Sequence, residues 1–245
     1  MRVAALYDVH GNLPALEAVL AEVESVDVDA VVVGGDVSIG PMPRETLERL
    51  LALGEQALFV RGNGDREIAD PPGGGDLWAE RTRWSGAQLE RGQRAWLAAL
   101  PDRQRVAVDG LGPVLFCHGS PRSDEEILTA ISPEERVAAA VAEVEEDVVV
   151  CGHTHVQFDR RIAGKRLVNA GSVGMPYEAR PGAYWLLLGP DVELRRTDYD
   201  LEAAAEAIRA TGFPDAEALA AENVLTVPSA EEATRQFEEM ARPPA

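Results

Sequence analysis

The chain has 245 residues, 46% of them apolar, and its 42 acidic against 23 basic residues leave a formal charge of −19 at pH 7. That length suits one α/β domain or two small ones with an ample core, and no apolar run reaches the roughly 18 residues of a membrane span. A surface so acidic repels nucleic-acid polymers. Two cysteines, Cys117 and Cys151, form neither a disulfide framework nor a zinc-thiolate cluster.

The N-terminus enters a strand-like run at once, without a basic and then apolar leader, so a cytoplasmic protein is expected. Residues 3–7, VAALY, form a short apolar run that predicts a buried strand. Leu13, Leu16, Val19, Leu20 and Val23 then fall at helical spacing, with Asn12 as N-cap and Pro14 in the first turn. A second strand, residues 29–36, ends in Gly-Gly-Asp. A second helix, PRETLERLLALG, closes at Gly54, and a third strand spans residues 56–60. Alternation of this kind predicts parallel strands joined by right-handed crossovers. Residues 71–76, PPGGGD, read as a flexible joint before a helical insert over about 77–99 that carries Trp78, Trp84 and Trp96. RVAVD and PVLFCHG predict a hairpin, and helix-like segments follow over about 124–143. DVVVCGH, VQFDR, RLVNAGS, AYWLLLG and VELRRTDY then predict a largely antiparallel second half. Ala- and Glu-rich C-terminal helices cover about 201–241. With no repeat or internal boundary, one domain over 1–245 is expected.

The chemistry gathers at strand ends. All four histidines, His10, His118, His153 and His155, follow apolar strand-like runs, the place where ligand sites collect in α/β sheets. One such histidine is as easily a hydrogen-bonded structural residue; the whole set is better explained by metal ligation. Asp8 precedes His10 by two residues, and in extended chain that spacing points both to one side. Asp36 ends the second strand. Asn63 ends the third and offers an amide oxygen, although Asn63-Gly64 is also a hairpin-turn signal. That alternative is weakened because a charged, Pro/Gly-rich segment follows instead of a strand. Mixed nitrogen and oxygen donors without thiolate suit Mn²⁺, Fe²⁺/³⁺, Zn²⁺ or Co²⁺ better than a Ca²⁺ or Mg²⁺ cage. Cys117 and Cys151 read as buried packing residues, and Trp78 and Trp84 as core more than lid.

Asp8-Val9-His10, Gly35-Asp36, Gly62-Asn63-Gly64-Asp65, His118 in CHGSPR, and Gly152-His153-Thr154-His155 stand in this order. Together they resemble the motif series of the calcineurin-like metallophosphoesterases, and VNAGSVGMP (168–176) and the segment after Thr197 resemble the small bacterial and archaeal phosphodiesterase-type branch. The resemblance implies a four-layer αββα sandwich, two mixed β-sheets flanked by helices, with a two-metal site at one edge. One ion is implied on Asp8, His10, Asp36 and His155, and the other on Asp36, Asn63, His118 and His153. Asp36 would bridge, and Mn²⁺ is the favoured metal. Two ions so held can share a hydroxide and clamp a phosphoryl group for in-line attack. A small phosphate ester, nucleotide-type or simpler, is the expected substrate, with a phosphodiester preferred.

Gly64 departs from the pattern, because the family usually has a histidine there that assists the leaving group. Such acid catalysis is worth about 10²–10⁴ in rate. Asp65 and Arg66 are candidate catalytic residues beside that gap, with Arg61 and Arg122 as further possible replacements. Asn12, Arg122 and Ser172 are candidate substrate-binding residues, and Ser120 is a weaker one. Gly64→His is expected to raise turnover on esters with poor leaving groups. The alternative reading is a metal-binding scaffold or a weakly active homologue.

Overall fold

The computed structural model describes residues 1–241, so residues 242–245 of the expected domain span lie outside the described residues. The first strands and helices follow the sequence pattern closely. β1 (Val3–Leu6), β2 (Ala30–Val33) and β3 (Ala57–Phe59) pair in parallel, with α1 (Leu13–Ser25) and α2 (Pro43–Leu51) in the connections. Asn12 caps α1 by accepting from the Ala15 N–H at 3.2 Å. β9 (Ala183–Leu188) and β10 (Val192–Thr197) complete this sheet on the other side of β1, both antiparallel to their neighbours, in the order β10-β9-β1-β2-β3.

The second sheet holds β4 (Arg103–Val108), β5 (Gly112–Cys117), β6 (Val148–Cys151), β7 (Phe158–Ile162) and β8 (Lys165–Asn169), ordered β4-β5-β6-β8-β7. The β4–β5 hairpin is as the sequence predicts. The largely antiparallel second half holds for β4–β5, β7–β8, β9–β10 and β1–β9, but β5, β6 and β8 run parallel. Strand periodicity carries no direction, and the connection through residues 118–147 is long enough for a crossover. Within it, only α6 (Glu134–Ala140) is helical, so the helix-like reading of 124–133 fails.

Alternate residues explain the layering. Val3, Ala5 and Tyr7 face Val114, Phe116, Val148 and Val150 in the core between the sheets. Ala4 and Leu6 face the opposite way, onto Leu16, Val19 and Leu20 of α1. Leu115, Cys117, Val149 and Cys151 pack outward against Val137 and Ala140 of α6. Both faces of the central strands are therefore buried, which is why they read as continuous apolar runs. The two cysteines are the packing residues expected of them.

Asn63 and Gly64 open α3 (Asn63–Ala69) and make no hairpin. The insert is two helices, α4 (Leu77–Gln88) and α5 (Arg91–Ala98). The C-terminal region comprises α7 (Leu201–Arg209), α8 (Ala216–Ala220), a π-helical turn (Ala221–Leu225) and α9 (Ala230–Met240). Trp84 packs edge-on against Phe213 at 5.3 Å between ring centroids, whereas Trp78 is only half-buried and lines a cavity.

Candidate active site

The loops after β1, β2, β3, β5 and β6 bring the predicted ligands to one place. Asp8 Oδ1 lies 3.3 Å from His155 Nε2 and 3.8 Å from both His10 Nε2 and His118 Nε2. Asp36 reaches His118 Nε2 at 3.6 Å with one oxygen and His10 Nε2 at 3.8 Å with the other. These atoms make two groups of metal-ligand geometry, Asp8–His10–His155 and Asp8–Asp36–His118. His153 stands edge-on to His118, 5.2 Å between centroids, and its backbone N–H donates to Asp8 Oδ2 at 2.9 Å. Asn63 lines the same cavity as His10, Asp36, His153 and His155. Asp8 thus sits at the junction of both groups, beside Asp36, the bridge that the resemblance implies.

The local backbone that achieves this is unusual. Asp8, His10, Asp36, His153 and His155 all have φ between 47° and 66°. Left-handed backbone is uncommon outside glycine, and such residues collect where surrounding structure enforces them for function. Asp8 and His10 therefore meet because each turns in left-handed conformation after β1 has ended at Leu6, and not through strand alternation. Hydrogen bonds between loops lock the turns: His10 N–H donates to Asp36 O at 2.9 Å and Gly11 N–H to Val37 O at 3.0 Å. Asn169, whose role in VNAGS is not legible from sequence, donates to Gly152 O at 2.7 Å and so holds the loop carrying His153 and His155.

The histidine tautomers follow from the outer partners. Nδ1 of His10 faces Ile39 O at 3.1 Å, that of His118 faces Gly34 O at 2.9 Å, and that of His155 faces Met175 O at 2.7 Å. A carbonyl only accepts, so each Nδ1 carries the hydrogen and each Nε2 points a lone pair inward. The Nε2 atoms of His10 and His155 stand 3.1 Å apart. Two lone pairs at that distance repel unless a cation or proton lies between them. Asp8 Oδ1, Asn63 Oδ1 and His118 Nε2 are buried without any hydrogen-bond partner. This donor set fits divalent metal ions of the borderline class.

Burial works against the charges. It pushes the Asp36 carboxyl up to about 7; His118 opposes the rise, and Asp8 and Asp65 add to it. His10 and His153 are pushed down to about 3, mainly by burial, with a neighbouring imidazole adding in each case. Asp8 is held below the usual carboxylate range, because His155 and His118 outweigh its burial. Asp36 has a folded value above its unfolded one near 3.8, so its contribution to stability is present below pH 3.8 and lost as pH rises through 7. The two depressed histidines run the other way: their contribution is present above 6.5 and lost as pH falls through 3. Metal needs neutral imidazoles and an ionised Asp36. The gain in melting temperature on adding Mn²⁺ should therefore be small at pH 5 and grow toward pH 8, as followed by scanning fluorimetry; a gain independent of pH would contradict this.

Other predicted site residues lie elsewhere or are already engaged. Asp65 is fully buried, and its carboxylate accepts from the backbone N–H of Asp36 (2.9 Å), Gly62 (3.0 Å) and Val37 (3.0 Å). It has no face free for catalysis and instead positions the Asp36 turn. Asn12 caps α1 and donates to Gly174 O at 3.0 Å. Ser172 donates to Asp8 O at 2.7 Å and accepts from Met175 N–H at 2.8 Å. Both are buried positioning residues with no free group for substrate. Arg66 pairs with Asp124 and Glu125, and Arg122 with Glu126, which Ser120 also contacts. Arg61 is bound to Ala98 O and pairs with Asp102. These three arginines line a second cavity of about 330 Å³ that reaches His118. At Gly64, an added Cβ would meet Asp36 Oδ1 and Ile39 Cγ2 at 3.0 Å. A histidine there fits if both yield by a few tenths of an ångström, so the expected gain from Gly64→His comes with pressure on Asp36.

The sequence profile of the calcineurin-like phosphoesterase superfamily domain matches residues 1–188. The chain belongs to that superfamily. This calcineurin-like chain is accordingly a metal-dependent hydrolase of phosphate esters. It is 26% identical over 237 residues to an uncharacterized protein of Methanocaldococcus jannaschii, covering 87% of this chain and 94% of that protein. It is also 26% identical over 196 residues to the phosphodiesterase YfcE of Escherichia coli, covering 76% of this chain and 87% of YfcE. A solved metallophosphoesterase from Sphaerobacter thermophilus superposes with a TM-score of 0.73 at 27% identity, covering 92% of this chain and 98% of the other. A hypothetical protein from Pyrococcus horikoshii shares the fold at a TM-score of 0.79 and 21% identity, over 94% of this chain and 99% of the other.

Proposed function

We propose that this calcineurin-like chain is a dinuclear phosphodiesterase acting on a small phosphate ester. Asp8, His10 and His155 would hold one ion, and Asp36, His118, Asn63 and His153 the other. The observation that carries the reading is the set of inward-facing donors: three imidazoles tethered through Nδ1 to backbone carbonyls, and orphaned oxygens on Asp8 and Asn63. Among the described residues, the side chains within ion-pair distance of Asp8 and Asp36 are all histidines. Two buried carboxylates without an Arg or Lys partner call for a cation.

When bound, a pair of divalent ions supplies Lewis acidity and an acidified water for in-line displacement at phosphorus. The protein's part is orientation. The carbonyls of Ile39, Gly34 and Met175 fix three imidazole rings, the Gly64 N–H holds Asp36 Oδ1 at 2.8 Å, and the His153 N–H holds Asp8 Oδ2. No histidine stands at 64 to protonate a leaving group, which favours esters whose leaving groups depart as stable anions. YfcE, the phosphodiesterase to which the chain is similar, supports the diester preference. The test is hydrolysis of bis(4-nitrophenyl) phosphate by chelator-treated protein with and without Mn²⁺. Metal-dependent turnover, faster than on 4-nitrophenyl phosphate, is expected; no turnover with any of Mn²⁺, Fe²⁺, Zn²⁺ or Co²⁺ would leave the scaffold reading in its place.

A further inference from the structure

The candidate metal cage opens into a cavity of about 710 Å³, and its far wall is unlike its floor. The floor is His10, Asp36, Asn63, His153 and His155. The wall carries Trp78 from α4, Met175 and Tyr177 from the loop before β9, and Phe237 and Met240 from α9. Tyr177 stacks on His155 at 4.9 Å between centroids with 27° between planes, and Phe237 lies 6.1 Å beyond Tyr177. An aromatic row thus leads outward from the cage. Among the described residues no Lys or Arg lines this cavity, and outside the cage Glu232 is its one charged lining group. Arg61, Arg66, Arg103 and Arg122 border the separate cavity on the His118 side.

α9 lies beyond the superfamily match at 1–188. It is fastened over the cavity by Glu238, which accepts from Thr129 Oγ1 at 2.6 Å and Ser132 Oγ at 2.8 Å and pairs with Arg136.

We propose that α9 makes this cavity the binding site for an uncharged aromatic group of the phosphate ester, stacked along Tyr177 and Phe237. The charge pattern disfavours a polyphosphate chain on this side: Glu232 repels further anions, and among the described residues no Lys or Arg lines the cavity to receive them. A flat neutral ring, by contrast, buries apolar surface against three aromatic side chains and two methionines. The inference rests on the phosphoesterase reading for its phosphate end, and it adds the identity of the other end.

The test uses Mn²⁺-loaded protein and two non-hydrolysable ligands of equal charge, phenylphosphonate and methylphosphonate, titrated by calorimetry. Phenylphosphonate should bind about tenfold or more tightly, the effect of burying one ring. Phe237→Ala should cut that preference to about threefold or less and leave methylphosphonate affinity unchanged, and Phe237→Tyr should keep it. Glu238→Ala, which releases the anchor without touching the cavity, should weaken phenylphosphonate alone. Equal affinities in the wild type, or no binding of either by protein that has taken up Mn²⁺, would overturn the aromatic site while leaving the metal reading intact. An undiminished preference in Phe237→Ala would overturn the assignment to α9. Failure to take up Mn²⁺ at all would overturn both readings together.

Discussion

Asp36→Asn is expected to abolish the metal-dependent rise in melting temperature and to cut diesterase turnover by about three orders of magnitude, the scale on which loss of one transition-state stabiliser is felt. The same variant should not weaken the metal-free fold. Asparagine keeps the oxygen that accepts from the Gly64 N–H, and it removes a carboxyl that burial has pushed up to about 7. The folded value exceeds the unfolded one, so ionising Asp36 in the metal-free protein costs stability as pH rises through 7. Above that pH, metal-free Asp36→Asn should melt at or above metal-free wild type. This pair of opposite signs separates a ligand from a structural carboxylate. A structural Asp36 would lower the melting temperature on substitution and leave the response to Mn²⁺ in place.

Asp65→Ala, unlike Asp36→Asn, should weaken the metal-free fold, with a loss of roughly 3–5 kcal/mol in urea denaturation. The reason is geometric. One carboxylate serves three backbone N–H groups, those of Asp36, Val37 and Gly62, and it is wholly buried. Deleting it strands three donors without water, each worth about 1–3 kcal/mol if fully unmet, with partial relaxation reducing the sum. Asp65→Asn should lose less, since one amide oxygen can still serve two of the donors. Turnover should fall in both variants, because the Asp36 turn is no longer held. Wild-type stability with lost activity in Asp65→Ala would return Asp65 to a chemical role.

Much of the site was legible because most of the ligands closely follow a buried strand. The strands are continuous apolar runs, their ends are abrupt, and Asp8, Asp36, Asn63, His118 and His153 stand within four residues of those ends. What the sequence hid is long-range or conformational. Asp65 reads as a polar residue beside a catalytic gap, yet its partners at Asp36 and Val37 are backbone groups from another loop. Asn12 and Ser172 carry the chemistry of substrate binders but spend it on Gly174 O and Asp8 O. Left-handed turns at five ligands leave no mark in residue type beyond the tolerance of Asp and His for them. The parallel course of β5, β6 and β8 was invisible because alternation fixes a face and not a direction. The position of α9 depends on Glu238 meeting Thr129, Ser132 and Arg136 across the fold. Its apolar inner face reads as an ordinary amphipathic helix.

The central claim is that these donors cage two cations, and an anomalous difference map from crystals grown with Mn²⁺ tests it most directly. Two peaks are expected, one against Asp8, His10 and His155 and the other against Asp36 and His118, with Asp8 Oδ1 in reach of both. An empty site, or a single peak with His118 and Asn63 left unengaged, would contradict the account.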